Sequence, residues 1–420
     1  MTAKTIALAL PLAAVLVAGA ATTPAVARPT PWRSAWGTSQ QAPAHTDWYP
    51  NWSEAGFANH SVRQVIRVGA QGSELRVRLS NAYGTTPLRL TGASVARSAG
   101  GAAVQPQSVR PLRFNGTGAV TIPAGRELSS DALDLPVAAF EQLTVTLYFE
   151  GPTGPATFHN AAMATTYRAG GNHLGDASAE AFAEQSYSWY YLAGIDVKSA
   201  GGPVGRPGAV VAFGDSLTDG FGSTPGADRR YTDALADRLA AAGRPRPVVN
   251  AGIGGNKLLG DSECYGESGL ERFRRDALAL PDVRTVIVLE GTNDIVQPDL
   301  PADHCNTPSP EVTAQELIAG HRRLIREAHA RGVRVLGTTI PPYWDRDAAY
   351  WTERGESVRT AVNTWIRTSG AYDGVVDLDR TVADPADPRK IRQEYAAPDH
   401  LHLNDDGYKA LAATIDLNSL

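Results

Sequence analysis

Val210-Val211-Ala212-Phe213-Gly214-Asp215-Ser216-Leu217-Thr218-Asp219-Gly220 runs from an apolar strand straight into a polar turn with a serine at its tip. A short, nearly continuous apolar run bounded by turn residues reads as a strand buried on both faces, the kind found in parallel sheets. The sequence that follows repeats that theme. Strands are expected at 209–213, 247–250, 285–290, 333–339 and 375–378, and they alternate with amphipathic helices at 231–242, 269–280, 313–331, 353–368 and from Asp405 onward. Strand and helix in alternation predict a parallel sheet covered on both faces, a doubly wound α/β domain over residues 209–420. Such sheets place ligands at the carboxyl ends of their strands.

The chain ahead of this domain has a different period. Val62-Arg-Gln-Val-Ile-Arg-Val68, Glu74-Leu-Arg-Val-Arg-Leu79 and Leu143-Thr-Val-Thr-Leu-Tyr-Phe149 alternate apolar and polar residues, and turn signals such as Asn81-Ala-Tyr-Gly84 and Asn115-Gly116 separate them. Period-two alternation of this kind predicts an all-β, jelly-roll-like sandwich over 32–198. A Gly- and Pro-rich stretch at 199–208 reads as the linker.

Four segments carry chemistry. Ser216 follows the first strand, Gly252 to Gly255 of Asn250-Ala-Gly-Ile-Gly-Gly255 follow the second, and Asn293 of Gly291-Thr-Asn293-Asp294 follows the third, which puts all three on one rim of the sheet. Asp399-His-Leu-His402 precedes the last helix at the same edge. A serine hydroxyl needs a neighbouring base, and His402 is the candidate, with Asp399 three residues earlier to fix its tautomer. Backbone N–H groups of Ser216 and Gly255, with the side-chain amide of Asn293, are candidate donors to the oxyanion of a tetrahedral intermediate. Each segment has a plainer reading alone: an αβ turn, a glycine turn, a helix N-cap, a surface cap. Gly-Ile-Gly-Gly also lacks the Lys-Ser/Thr of a phosphate loop. Four such coincidences in this order are what the plain readings would require.

These residues resemble the SGNH/GDSL hydrolase family. Ser216 stands in its Gly-Asp-Ser-Leu block, Gly255 in its glycine block, Asn293 in its Gly-x-Asn-Asp block and His402 in its Asp-x-x-His block. The likeness covers about residues 209–420, and stretches such as Val249-Asn-Ala-Gly-Ile-Gly-Gly-Asn-Lys-Leu-Leu259 are similar to a secreted bacterial subgroup of xylan-associated aryl esterases and acyl hydrolases. The resemblance implies a flavodoxin-like three-layer α/β/α fold and ester hydrolysis with no metal or other cofactor. Thr292 departs from the second glycine many members carry, a change expected to alter loop packing and not chemistry.

Composition sets the context. With 43% apolar and 20% charged residues and a net charge of −5, the 420-residue chain has an ordinary globular balance and no basic excess to suggest nucleic acid. Residues 1–27 carry Lys4, an apolar run from Thr5 to Ala20 and the small-x-small site Ala25-Val26-Ala27, which reads as a signal peptide and predicts a secreted protein with no membrane span. In an oxidising compartment the two cysteines, Cys264 and Cys305, are expected to form one disulfide, which reads equally as a stiffened wall of the site and as a purely structural staple.

The remaining histidines and the tryptophans have quieter expectations. His321 and His329 fall on a helix rich in Arg and Glu and are expected on its solvated side, His400 is expected on the rim, and His304 has no assigned role. Trp32, Trp36, Trp48 and Trp52 cluster at the start of the β-rich region, with packing the expected role and sugar stacking the minority one. The combined expectation is a secreted serine esterase working through an acyl-serine intermediate on a small-molecule or polysaccharide ester, with acetyl esters on carbohydrate favoured. The alternatives are a lipase or phospholipase-type acyl hydrolase, and a carbohydrate-binding surface protein with little turnover. Oligomeric state, acyl length and the alcohol half are left open by the sequence.

Overall fold

Residues 211 and 213 face one way and 210 and 212 the other, and that alternation builds the carboxyl-terminal half. Val211 and Phe213 join one apolar cluster with the helices Ala314–His329 and Glu353–Thr368, while Val210 and Ala212 join a second with the helices Tyr231–Ala241 and Asp405–Thr414. The computed structural model describes residues 1–2, 32–46, 48–198, 208–306, 309–345 and 350–420. Between the two helical layers lie five parallel strands in the order Val248–Gly252, Ala209–Gly214, Val283–Leu289, Arg334–Thr338 and Gly374–Val376. In chain order this is 2-1-3-4-5, the flavodoxin-like arrangement, whose ligand crevice opens beside the first strand.

In the amino-terminal half, two antiparallel sheets share one apolar cluster. One contains Arg33–Gly37, Leu192–Lys198 and Gly72–Asn81; the other contains Thr166–Gly170, His60–Arg67, Gln142–Phe149 and Gly92–Gly100. Leu75, Val77 and Leu79 from the first meet Val62, Ile66, Leu143, Val145 and Leu147 from the second, as period-two alternation requires. The segment expected to be a signal peptide lies outside the described residues apart from its first two, and so does the expected linker apart from Gly208. Among the described residues no helix is long and apolar enough to cross a membrane.

The two halves are tightly joined. Gly37 packs where a Cβ would stand 3.2 Å from Val249 Cγ1, so the edge of an amino-terminal sheet rests on the edge strand of the parallel sheet. Arg33 pairs with Asp282 at 3.2 Å, Tyr83 donates to Glu267 at 2.9 Å, and buried Arg230 donates to Ala162 O at 2.9 Å. Trp36 meets Trp189 edge to face at 4.8 Å, Trp52 stacks on Tyr190, and Trp32 carries Arg76 and Lys198 over its face, so these three pack within the structure.

Two expectations need correction. The expected helix over 269–280 forms as Gly269–Phe273 and continues as a π-type turn, Arg274–Leu278. His321 is not solvated: it is 1% exposed, its Nδ1 lies 2.7 Å from Tyr372 Oη, and burial pushes its pKa down to about 4. The flanking Arg and Glu residues hid the fact that position 321 falls on the same helical face as buried Leu317, Leu324 and Ile325. His329, the last residue of the helix, is exposed and pairs with Asp373 at 2.8 Å.

Candidate functional site

Asp215 caps the short helix Ser216–Asp219, its carboxylate accepting from Leu217 N at 3.0 Å, and this sets Ser216 at the first helical position above the end of the first strand. Burial raises the Asp215 pKa to about 6. Ser216 is 8% exposed. Its Oγ lies 2.8 Å from His402 Nε2, and His402 Nδ1 lies 2.7 Å from Asp399 Oδ2. The carboxylate also accepts from the N–H groups of Leu401 and His402 at 3.1 and 2.9 Å. Nδ1 therefore carries the proton that it donates to Asp399, which leaves Nε2 free to accept from the serine hydroxyl. Partial burial pushes the Asp399 carboxyl up, but hydrogen bonds and charge from His402 outweigh it and hold the group well below the usual carboxylate range.

The glycine block sits beside this line. Gly255 has φ +76°, a backbone conformation that favours glycine, and a Cβ there would stand 2.4 Å from the Tyr265 ring. The peptides that follow it are clamped from the third strand's loop: Gln297 donates to Gly255 O at 2.8 Å and Asn293 Nδ2 to Asn256 O at 2.9 Å. Asp294 accepts from Leu258 N at 2.6 Å and Leu259 N at 2.9 Å, and burial lifts its pKa to about 6. Asn293 has a second amide hydrogen, so its role as a clamp leaves one donor for another acceptor.

Arg272 was not singled out in the sequence. Fully buried, it donates to Gly214 O and Ala251 O at the ends of the first two strands, to Asn256 Oδ1, to Glu290 Oε1 at 3.0 Å and to Ser39 Oγ at 3.3 Å. Burial raises the Glu290 pKa well above its ordinary value, and Arg272 acts against that rise. A lone arginine in an Arg/Glu-rich helical segment gives no local signal that it will point inward. His159 was also missed; it reaches Asp219, just beyond the serine, from the amino-terminal half.

Cys264 and Cys305 are joined in a disulfide. It ties the loop after the glycine block to the loop after Asn293. His304 stacks on His45 with ring centroids 5.6 Å apart. Cys264, His304 and Cys305 cluster as metal ligands would, but bridged sulfurs are not thiolates and do not supply a metal site. His400 is exposed on the rim, 4.0 Å from Asp345.

Residues 212–410 match the GDSL-like Lipase/Acylhydrolase family. No curated protein sequence matches the chain. Solved structures similar to it include a GDSL-like lipase from Bacteroides thetaiotaomicron, at 18% identity over 52% of this chain and 90% of that one, with a TM-score of 0.39. An aryl esterase from M. smegmatis is similar at 19% identity over 49% and 94% of the two chains, with a TM-score of 0.36. An acetyl xylan esterase is similar at 21% identity over 49% and 96%, with a TM-score of 0.35. The family match takes in Ser216, Gly255, Asn293, Asp399 and His402, so residues 212–410 resemble a GDSL-like lipase/acylhydrolase domain, consistent with a carboxylic ester hydrolase.

Proposed function

We propose that this protein is a secreted serine esterase that cleaves short acyl esters, with acetyl groups on carbohydrate the favoured substrate. The observation that carries the catalytic part is the unbroken line Ser216 Oγ, His402 Nε2, His402 Nδ1, Asp399 Oδ2, with spacings of 2.8 and 2.7 Å. In this reading Ser216 Oγ attacks the ester carbonyl carbon while its proton passes to His402 Nε2. The N–H groups of Ser216 and Gly255 and the Asn293 amide receive the oxyanion. Collapse of the tetrahedral intermediate breaks the bond to the alcohol oxygen, which takes the proton from His402 and leaves an acyl-serine. Water then repeats the sequence: His402 removes its proton, the hydroxide oxygen bonds to the acyl carbon, and Ser216 Oγ leaves with the proton returned.

The disulfide-tied loops beside Gly255 and Asn293 favour a stiff wall and therefore a small acyl group. Residues 32–198 serve in this reading as a jelly-roll-like β-sandwich domain and 209–420 as the hydrolase domain. Export rests on the leader composition and on the cysteine bridge.

Initial rates on p-nitrophenyl esters from acetate to palmitate, beside Ser216→Ala, test the proposal. Fast acetate hydrolysis that falls with chain length and vanishes in the variant is the expected result, followed by acetate release from acetylated xylan. A long-chain optimum would replace it with a lipase reading. Absence of turnover on every ester, together with specific glycan binding, would replace it with a binding protein.

A further inference from the structure

Trp48 belongs to the amino-terminal half, yet its ring stands against the candidate oxyanion loop. It stacks on Tyr265 with centroids 5.0 Å apart and planes 10° apart, and it meets Phe221 edge to face at 5.3 Å. Phe221 in turn lies 4.6 Å from the ring of His402. At the other end, a Cβ on Gly254 would stand 2.7 Å from Trp48 Cζ3, and a Cβ on Gly255 would strike Tyr265. Three rings thus run without a break from the oxyanion glycines to the catalytic imidazole. Tyr265 and Phe221 come from the hydrolase half, and Trp48 fills the space between them.

The wall is held from behind. Tyr49 packs on Phe221 at 5.9 Å and on Tyr187 at 5.2 Å. Gln41 donates to Cys264 O at 3.1 Å, next to Tyr265, and the disulfide anchors the same loop. A half-buried indole fixed in this way can exclude atoms as well as contact them.

We propose that Trp48 is the specificity-determining residue that sets acyl length, closing the site to chains longer than a few carbons. The proposal rests on the serine-esterase reading above. Removing the indole would extend the site along the gap between Phe221 and Tyr265, where added methylenes find apolar contact.

The test is kcat/KM for p-nitrophenyl acetate, butyrate, octanoate and palmitate with wild type, Trp48→Ala and Trp48→Leu, each variant checked for a cooperative thermal transition. The octanoate-to-acetate ratio is expected to rise at least about tenfold in Trp48→Ala, since a hydrophobic pocket discriminates by roughly tenfold or more per methylene. Trp48→Leu should move the same way to a smaller extent, and it carries the test if the alanine variant does not fold. A profile that falls in parallel at every chain length, or that does not change, would overturn the assignment to Trp48 while leaving the esterase reading intact. A wild-type optimum at long chains would also overturn it. Wild-type turnover that survives Ser216→Ala would overturn the nucleophile, and the Trp48 assignment with it.

Discussion

His159 Nε2 lies 3.0 Å from Asp219 Oδ1, and both side chains are buried. Through this contact the amino-terminal sheets hold the turn that follows Ser216. The other imidazole nitrogen faces Ser39 O at 3.1 Å, and the other carboxylate oxygen accepts from Gly254 N at 3.0 Å. One line of hydrogen bonds therefore runs from the amino-terminal half to the glycine beside Gly255. Replacing His159 with Leu leaves a buried carboxylate short of a partner, which typically costs about 3–5 kcal/mol. It should also lower kcat more than it changes KM, because in the proposed mechanism the loop it steadies is the one that receives charge developing only in the transition state. Urea denaturation and steady-state kinetics check this, and unchanged values for both would sink it.

Asp399→Asn is expected to cut kcat by about 10⁴. An amide at 399 donates where the carboxylate accepted, so it stabilises the imidazole tautomer that carries its proton on Nε2, facing Ser216 Oγ. That tautomer cannot take the serine proton. Single-turnover rates should fall while the thermal midpoint moves little, and a loss of only a few-fold would show that His402 keeps its tautomer without Asp399.

Much of this site was legible because its parts occupy short segments, each following a strand. Apolar runs fix the five parallel strands, the 2-1-3-4-5 order brings their carboxyl ends to one rim, and Ser216, Gly255 and Asn293 follow from that. What escaped notice depends on contacts between distant segments. Nothing local distinguishes Arg272 from its neighbours Arg274 and Arg275, and only the closing of Ser39 and Glu290 over it makes it a buried hub. The same holds for His159 and Trp48, whose partners lie in the other half of the chain.

Arg272→Met should destabilise the protein by about 3–5 kcal/mol, since it strands Glu290 in a fully buried position. Adding Glu290→Gln should recover part of that loss, as the group left behind is then neutral. Denaturant midpoints for the two single variants and the double variant give the coupling. A double variant no more stable than Arg272→Met would mean that the strand-end carbonyls, not Glu290, dominate.

The pH dependence contains opposing contributions. His321, lowered to about 4, gives stability that is complete above the ordinary histidine value near ~6.5 and is lost as pH falls toward 4, because only the unfolded chain takes the proton. Asp215 and Asp294, each raised to about 6, do the opposite: their contribution grows as pH falls from 6 toward ~4, because the folded state binds protons there and the unfolded chain does not. Each slope is about 1.4 kcal/mol per pH unit, so the two carboxyls together outweigh the one imidazole. His321→Phe removes only the imidazole contribution. Relative to wild type, its stability should improve by about 3 kcal/mol between pH 7 and pH 4, whatever its value at neutrality. Parallel stability curves would show that His321 titrates the same way folded and unfolded.

Asp219 needs His159, Arg272 reaches Ser39, and the gap between Phe221 and Tyr265 is filled by Trp48. The stretch bearing every sequence signature of the family is thus not a portable cassette. Transplanted behind a foreign partner, it would keep its nucleophile and lose the floor beneath its glycine loop, so recombination that treats residue 209 as a seam should yield folded-looking but sluggish hybrids.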